Sequence, residues 1–309
     1  MTIKNRILVS GLINIETTVK IPGFPLEYTP VQYNYNGIDS AVSGVGFNLA
    51  KALTSLGDTV DLVSLVGNDL NGKTVRDVLS DCGINSGYIA SSLNTTPLSV
   101  ILYDQSGKRN IQCDLKDIQD AQYDPALFYK AMEPCEFLAM CNINFSRPFL
   151  KAAHDLGKTI ATDVHTLSDL SDAYNADFMK YANILFLSNE GIRDSEEEFV
   201  KKLAAIYRND IIVVGLGGKG ALLYVKEDSY MGRFPAVRTR EIVSTVGAGD
   251  ALFSAFLHGY SRTRDPYLSL KKAVAFASYK IGTASASDGF LTGEELDALY
   301  DRMCATNLQ

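Results

Sequence analysis

Short apolar runs alternate with helical stretches along most of this chain, and this alternation limits the possible folds more than any other feature. The strand-like runs are almost wholly apolar and lie at residues 7–13, 60–66, 137–141, 159–162, 184–187 and 211–215. Helix-like stretches with an apolar stripe lie at 46–56, 74–82, 147–156, 168–181 and 195–207. Strands buried on both faces read as continuous apolar runs, and parallel strands need a crossover that is usually helical. The pattern therefore predicts an α/β fold, a three-layer α/β/α sandwich with a mostly parallel central sheet.

Two segments interrupt this alternation. Residues 15–40 are rich in Pro, Tyr and Asn, and their alternating run 31–36 predicts a strand with one exposed face. Residues 98–114 are typical of a hairpin that turns near 105–107. Together the two segments predict a small antiparallel sheet of about four strands, inserted at about 15–40 and 97–114 into one domain that spans 1–309.

Composition excludes several function classes. The formal net charge is −7 and no basic tract occurs, which argues against nucleic-acid binding. No stretch reaches the roughly 20 apolar residues of a membrane span, so no membrane partner is expected. The five cysteines form no CxxC pair, and they indicate free thiols in the reducing cytoplasm: Cys82, Cys113, Cys135, Cys141 and Cys304.

Three small residues and a carboxylate precede an apolar helix predicted at 251–260. Gly247, Ala248 and Gly249 leave backbone N–H groups uncovered, and Asp250 falls in the first helical turn. Such a helix start attracts anions through unpaired donors and the positive end of its dipole. Phosphoryl transfer needs donors for the phosphoryl charge and a group that takes the hydroxyl proton. The same residues also suit a plain helix start, and on their own they leave both interpretations open.

The segment 245–253, TVGAGDALF, resembles the signature DTxGAGDxFxxxF of the ribokinase-like (PfkB) carbohydrate kinases. It lies late in the chain, as in that family. The resemblance implies that Asp250 is the catalytic base and that the backbone of Gly247, Ala248 and Gly249 is the anion hole. It also implies ATP as the phosphoryl donor, Mg²⁺ as the cofactor, a sugar as the acceptor, and a β-lid in place of the inserted sheet.

Further motifs extend the resemblance to a substrate pocket. The segment 11–14 resembles the family's first strand end, and 43–48 resembles its GGxxxN turn. The implied substrate-binding residues are Asn14, Glu16, Gly44, Gly46 and Asn48. Glu16 stands where the family usually has Asp, which implies a different pocket shape. No anion clamp is evident, so an unphosphorylated substrate is favoured.

Nucleotide contacts are implied by two more motifs, with departures. The segment 215–220 resembles the TxGxxG loop, although it begins with Gly instead of Thr. The implied nucleotide-binding residues are Asn189, Gly215, Gly217, Lys219, Gly220 and Thr245. The NxxE motif is incomplete, because Ile192 occupies the Glu position, and Glu190 is the candidate to order the water shell of Mg²⁺. Ser244 replaces an Asp that helps to bind the cation in potassium-activated members, so dependence on K⁺ is left open.

Other interpretations stay open. A nucleoside kinase of the same fold is one, because Tyr33 and Tyr35 are able to stack on a base as well as to pack within the lid. A P-loop NTPase is another, since residues 67–74 match GxxxxGK[ST], although Asp69 within that loop opposes a phosphate. A sugar-binding regulator without catalysis is a third.

Three further features are left open by the sequence. Lys108 and Arg109 are either a solvated hairpin tip or a contact to a substrate phosphate. His165 follows a predicted strand near the cleft. The resemblance allows a homodimer through the lid but leaves the oligomeric state open.

Overall fold

The computed structural model describes residues 5–306 except 107 and 284. The strands in these residues are β1 (Arg6–Ser10), β2 (Asn14–Lys20), β3 (Ile38–Ser43), β4 (Thr59–Gly67), β5 (Ile89–Leu93), β6 (Leu98–Tyr103), β7 (Arg109–Asp114), β8 (Phe137–Met140), β9 (Thr159–Thr166), β10 (Ile184–Ser188), β11 (Ile211–Gly215), β12 (Ala221–Val225) and β13 (Tyr230–Phe234). The α-helices are α1 (Val45–Ser55), α2 (Leu70–Asp81), α3 (Pro125–Met132), α4 (Leu150–Asp155), α5 (Ala176–Tyr181), α6 (Glu196–Tyr207), α7 (Ala248–Thr263), α8 (Pro266–Lys280) and α9 (Gly293–Thr306).

The main sheet has nine strands in the order β13-β12-β11-β10-β9-β8-β1-β4-β5. The strands from β5 to β11 in this order run parallel, and β12 and β13 are added antiparallel at one edge. Strand β1 is an interior strand, with Ile7 opposite both Val60 and Phe137. The predicted mostly parallel sheet is confirmed.

Helices cover both faces of this sheet. Successive side chains of a strand point to opposite faces, and in β1 Ile7 and Val9 join one apolar cluster while Leu8 joins the other. The first cluster includes residues of α1, α2, α7, α8 and α9, and the second includes residues of α3 to α6. Burial on both sides explains why these strands carry apolar residues on both faces instead of alternating between apolar and polar ones. The three-layer prediction is confirmed.

A second sheet of four strands has the order β3-β2-β6-β7. Its β6–β7 hairpin occupies the predicted segment, with Ile101 opposite Ile111, although residue 107 of its turn lies outside the described residues. The sheet is mixed, because β2 and β6 pair in parallel. These two strands follow β1 and β5, and parallel strands of one sheet end at the same edge. Both chain segments therefore enter the small sheet from the same side.

Two local predictions are wrong. Residues 31–36 form no strand, because their alternating side chains find nothing to pack against: Tyr33 and Tyr35 are 77% and 87% exposed and stack only on each other. The helix predicted at 168–181 begins only at Ala176. Asp169 and Asp172 instead accept hydrogen bonds from backbone N–H groups two residues ahead, and such turns compete with a helix.

Within the described residues, none of the helices combines the length and the apolar character that crossing a bilayer requires.

Candidate active site

The candidate site lies at the carboxyl ends of the central parallel strands. The strand order reverses at β1, which has β4 on one side and β8 on the other. Ligands of open α/β sheets bind in the crevice at such a reversal. Asn14 begins β2 just after β1, Asp163 and His165 lie near the end of β9, and α7 begins above the same edge.

The start of α7 has free backbone donors. Gly247 is the N-cap with φ 76°, and a side chain there would meet the Ala286 carbonyl at 2.6 Å, so only glycine fits. The Ala248 N–H donates to the Thr245 carbonyl at 3.2 Å. In the described part of the chain the N–H groups of Gly249 and Asp250 have no acceptor. These two donors, together with the helix dipole, suit an anion.

Asp250 is held by a buried amide. Asn48 Nδ2 donates to Asp250 Oδ2 at 2.7 Å, and Asn48 lies in the buried part of α1. Burial raises the pKa of Asp250 above the ordinary carboxyl value, while the Asn48 hydrogen bond and the nearby His165 favour the anion and oppose that rise. A carboxylate whose proton affinity is raised in this way suits a general base.

A polar network runs from Asp250 into the small sheet. Ser43 Oγ lies 3.4 Å from Asn48 Oδ1 and 3.1 Å from Glu16 Oε2, so its single proton is shared between these two acceptors. Burial raises the pKa of Glu16, and the nearby Asp250 raises it further, against the hydrogen bond from Ser43. The structure thus brings Glu16, Asn48 and Asp250 together.

Asn14 lies beside this network with one unused acceptor. Its Nδ2 donates to Ser99 Oγ at 2.9 Å, while its buried Oδ1 has no hydrogen-bond partner among the described residues. A buried polar atom without a partner is costly. A ligand hydroxyl is the group that would satisfy it.

Gly44 and Gly46 allow the close packing around this pocket. Gly44 has φ 98° and is the N-cap of α1, where a side chain would collide with the Leu12 carbonyl. A side chain at Gly46 would lie 2.6 Å from the backbone of Gly11. Both glycines therefore place α1, and with it Asn48, against the end of β1.

A cleft opens beneath the inner face of the small sheet. Register places Glu16, Thr18 and Asp39 on this face, and Asn36, Tyr103 and Ser285 complete most of its lining. Two of these side chains are carboxylates and none is basic.

Arg109 joins the small sheet to the α7 turn. Its Nη1 donates to Thr245 Oγ1 at 3.0 Å, and its Nη2 lies 3.8 Å from Glu190 Oε1. The structure thus brings together Thr245 and Glu190, which the sequence placed in separate motifs. Lys108, the neighbouring residue, lies over the Phe24 ring instead. The sequence left Arg109 open because its contact is 136 residues away.

The remaining predicted nucleotide residues line the ends of β10 and β11. Ser188, just before Asn189, is opposite Gly215 in the sheet. Asn189 Nδ2 donates to Glu196 Oε1 at 3.1 Å. Gly217 and Gly220 have positive φ, and Lys219 is exposed between them. No contact links Lys219 to the α7 turn in the described chain, so its role in nucleotide binding stays a prediction from the sequence.

The loop at 67–74 is already filled by its own carboxylate. Asp69 accepts hydrogen bonds from the Gly72 N–H at 2.8 Å and from the Thr96 N–H at 2.9 Å. A phosphate there would compete with a fixed negative charge for these donors. The P-loop interpretation therefore fails on electrostatics.

The site has few protein ligands for a metal. In the part of the chain that the structure describes, no three His, Cys, Asp or Glu side chains are grouped to hold an ion. Mg²⁺ keeps several waters and typically takes one or two carboxylates plus substrate phosphates. Glu190, an exposed carboxylate with Arg109 as its charged neighbour, fits that pattern.

The chain is similar to known proteins over most of its length. The family model described as pfkB family carbohydrate kinase matches residues 4–292. Acarbose 7(IV)-phosphotransferase of Actinoplanes sp. is 24% identical over 82% of this chain and 84% of its own length. The microbiome-derived acarbose kinase Mak1 superposes with a TM-score of 0.87 at 24% identity, covering 97% of this chain and 99% of its own.

Arabidopsis thaliana ribokinase, solved with ribose and ATP, superposes with a TM-score of 0.80 at 18% identity, covering 96% and 99%. These structural likenesses agree with the observed α/β architecture. The chain is a phosphotransferase that acts on a hydroxyl group of a sugar or nucleoside, and it belongs to the pfkB family of carbohydrate kinases.

Proposed function

We propose that the protein transfers the γ-phosphoryl group of ATP to a hydroxyl of an uncharged sugar, with Asp250 as the general base. The observation that carries this proposal is the position of Asp250 in the first turn of α7, 2.7 Å from Asn48 and beside two unpaired backbone donors. A base and an anion site then lie side by side, as in-line phosphoryl transfer requires.

The transfer uses these groups in one step. The substrate oxygen forms a bond to the γ-phosphorus while the bond to the ADP oxygen breaks, and Asp250 takes the hydroxyl proton. The N–H groups of Gly249 and Asp250 stabilise charge on the transferring phosphoryl group. Arg109 lies close enough to Thr245 to add a positive charge from the small sheet. That sheet acts as a lid, which keeps water from the phosphoryl group.

The lining of the cleft favours a neutral polyol as substrate. Glu16 and Asp39 repel a sugar phosphate or sugar acid and accept hydrogen bonds from hydroxyl groups. The buried Oδ1 of Asn14 offers a further acceptor. A nucleoside is the alternative substrate, but Tyr33 and Tyr35 are exposed and do not line the cleft, which weakens the case for base stacking.

ATP and Mg²⁺ would be held mainly through phosphate contacts. Asn189, Gly215, Gly217, Lys219, Gly220 and Thr245 are the proposed nucleotide contacts. Glu190 would order water on Mg²⁺, which supplies positive charge to the phosphates when bound. The exposed carboxylate near Arg109 supports this assignment.

The outer face of the small sheet suits a second copy of the chain. Val19 pairs with both Ile38 and Leu102, so these three apolar side chains share the face opposite Glu16. Ile38 is 58% exposed there. We propose a homodimer through this face. A monomer by sedimentation at micromolar concentration, unchanged in Ile38→Asp, would contradict it.

The cytoplasm is the proposed compartment. All five cysteines are free thiols, and Cys135 and Cys141 are buried. Burial raises the pKa of Cys135 to about 12, which keeps this thiol protonated and unreactive. Fractionation of cells that express the tagged chain tests the assignment.

A screen of ADP release tests the function. Pentoses, hexoses, amino sugars, sugar acids, sugar phosphates and nucleosides are each supplied with Mg-ATP, and phosphorylated product is confirmed by mass spectrometry. We expect turnover with a neutral sugar and none with sugar phosphates. A clear preference for nucleosides would favour the alternative, and no turnover with any acceptor would contradict the proposal.

A further inference from the structure

Lys280 is a fully buried lysine beside the proposed catalytic turn. It is the last residue of α8, and its side chain is 0% exposed. Lysine is almost never fully buried without partners, because removing its charge from water is costly. A charged group in such a place is retained for structure or for function, and its partners distinguish these roles.

The partners of Lys280 belong to the two loops that flank the anion site. Its Nζ donates to the Val246 carbonyl at 2.6 Å and to the Ser285 carbonyl at 2.7 Å. Val246 directly precedes the Gly247 cap of α7, and residue 286 packs against Gly247. The ammonium thus joins both sides of the turn whose N–H groups would face the phosphoryl group.

The Val246 carbonyl has a particular relation to Asp250. In an α-helix the N–H of a residue donates to the carbonyl four residues earlier, so Val246 would be the acceptor for the Asp250 N–H if the helix extended back to it. The carbonyl bonds to Lys280 instead, and the Asp250 N–H has no acceptor within the described residues. Lys280 therefore helps to keep this donor free for an anion.

A positive charge coordinated by backbone carbonyl oxygens is also the arrangement by which proteins hold a monovalent cation. The sequence carries Ser244 at the position where potassium-activated relatives have a carboxylate. Here the coordinated charge is covalently part of the chain.

We propose that Lys280 is a positioning residue for phosphoryl transfer, whose ammonium does the work of a bound monovalent cation and makes the enzyme independent of added K⁺. The inference rests on the proposed kinase function.

Charges around Lys280 set a pH limit on this role. Burial lowers the pKa of Lys280 to about 8, against the carboxylates of Asp250 from α7, Glu16 from β2 and Asp288 from the loop after α8. Arg240, which lies before α7, lowers it further. The ammonium is present below this pH and is lost as the pH rises through it. Turnover should therefore fall on the alkaline side.

The first test needs no variant. The turnover of the wild-type enzyme is measured with its best acceptor in NaCl, KCl and choline chloride at equal ionic strength. We expect the three rates to agree within about twofold, which is under 0.5 kcal/mol in transition-state energy. A tenfold activation by K⁺ would overturn the proposal. If the wild-type enzyme turns over in any of these salts, the kinase function holds even when K⁺ independence fails. The failure of this proposal is therefore distinguishable from failure of the kinase function.

Variants test the ammonium directly. Lys280→Met keeps the chain length without charge, and we expect kcat to fall by about 10- to 100-fold with little change in the sugar KM. The alkaline fall in turnover that the wild type shows as Lys280 loses its proton should disappear in this variant. Lys280→Ala vacates the space, and K⁺ or NH₄⁺ should restore part of kcat where choline does not. Lys271→Ala, which removes an exposed lysine of the same helix, is the matched control. Wild-type kcat in Lys280→Met, or in Lys280→Ala with choline, would overturn the proposal.

Discussion

Replacing Asn48 by Leu tests how Asp250 is kept ready to accept a proton. Leucine keeps the branched shape of the buried Asn48 side chain, with a somewhat larger volume, but removes the donor that lies 2.7 Å from Asp250 Oδ2. A hydrogen bond to a charged group contributes about 1.5–3 kcal/mol. This bond favours the anion and lowers the pKa of Asp250 against the effect of burial. Without it the pKa rises further, and the base is protonated over a wider acid range.

Loss of this hydrogen bond lowers the ionised fraction of Asp250 by roughly 10- to 100-fold at pH values where Asp250 is mostly protonated, since about 1.4 kcal/mol is a factor of ten. We therefore expect kcat/KM of Asn48→Leu to fall by about this factor on the acid limb and by less near the optimum. The assay is coupled ADP release at saturating Mg-ATP between about pH 5.5 and 8.5.

Asn14→Ala is the matched control, because Asn14 lies in the same pocket but donates to Ser99 and not to Asp250. It should raise the sugar KM and leave the acid limb in place. If Asn48→Leu has the same acid limb as the wild type, the Asn48 hydrogen bond does not tune Asp250 and the reasoning fails.

Two more predictions follow from single contacts. Arg109→Met removes the guanidinium that donates to Thr245 Oγ1, so kcat/KM for ATP should fall by about 10- to 100-fold in steady-state assays. Lys108→Met removes a charge that faces the Phe24 ring and should change kcat/KM for ATP little. Equal losses in both variants would refute a specific role of Arg109 in ATP use. Thr292→Ala removes the cap that accepts the Glu295 N–H at 3.2 Å at the start of α9, and it should lower the free energy of unfolding by about 0.5–2 kcal/mol in urea titrations. Turnover should be unchanged, and an unchanged unfolding midpoint would show that this cap does not stabilise α9.

Local patterns were sufficient to predict six of the nine strands of the main sheet. Every residue of β8 and nearly all of β4 are buried, so both sequences are mostly apolar, as a strand that is covered on both faces requires. The last helix was predictable for a similar reason, since Thr292 and Glu295 form the reciprocal bonds of a capping box. Strand β5 was missed because its central residues are exposed and polar. The β12–β13 hairpin was also missed, since its strands are added antiparallel at the edge.

The candidate site was likewise predictable from the sequence only in part. The anion-binding turn and Asp250 are adjacent in sequence, so small residues before an apolar helix predicted them. Lys280 was missed because nothing near it in sequence indicates a carbonyl partner 34 residues away. Its one local signal is a lysine at the end of a helix whose last turns are otherwise mostly apolar. Pairings such as Arg109 with Thr245 are tertiary and need the fold.

Turnover and ligand binding of Asp250→Asn test the central claim most directly. The amide keeps the shape of the side chain and its contact with Asn48, but it is unable to take a proton. We predict that calorimetry shows sugar and Mg-ATP binding within a few-fold of wild type, while single-turnover phosphoryl transfer falls by roughly 10²–10⁴-fold. Near wild-type transfer by Asp250→Asn would contradict the assignment of Asp250 as the base.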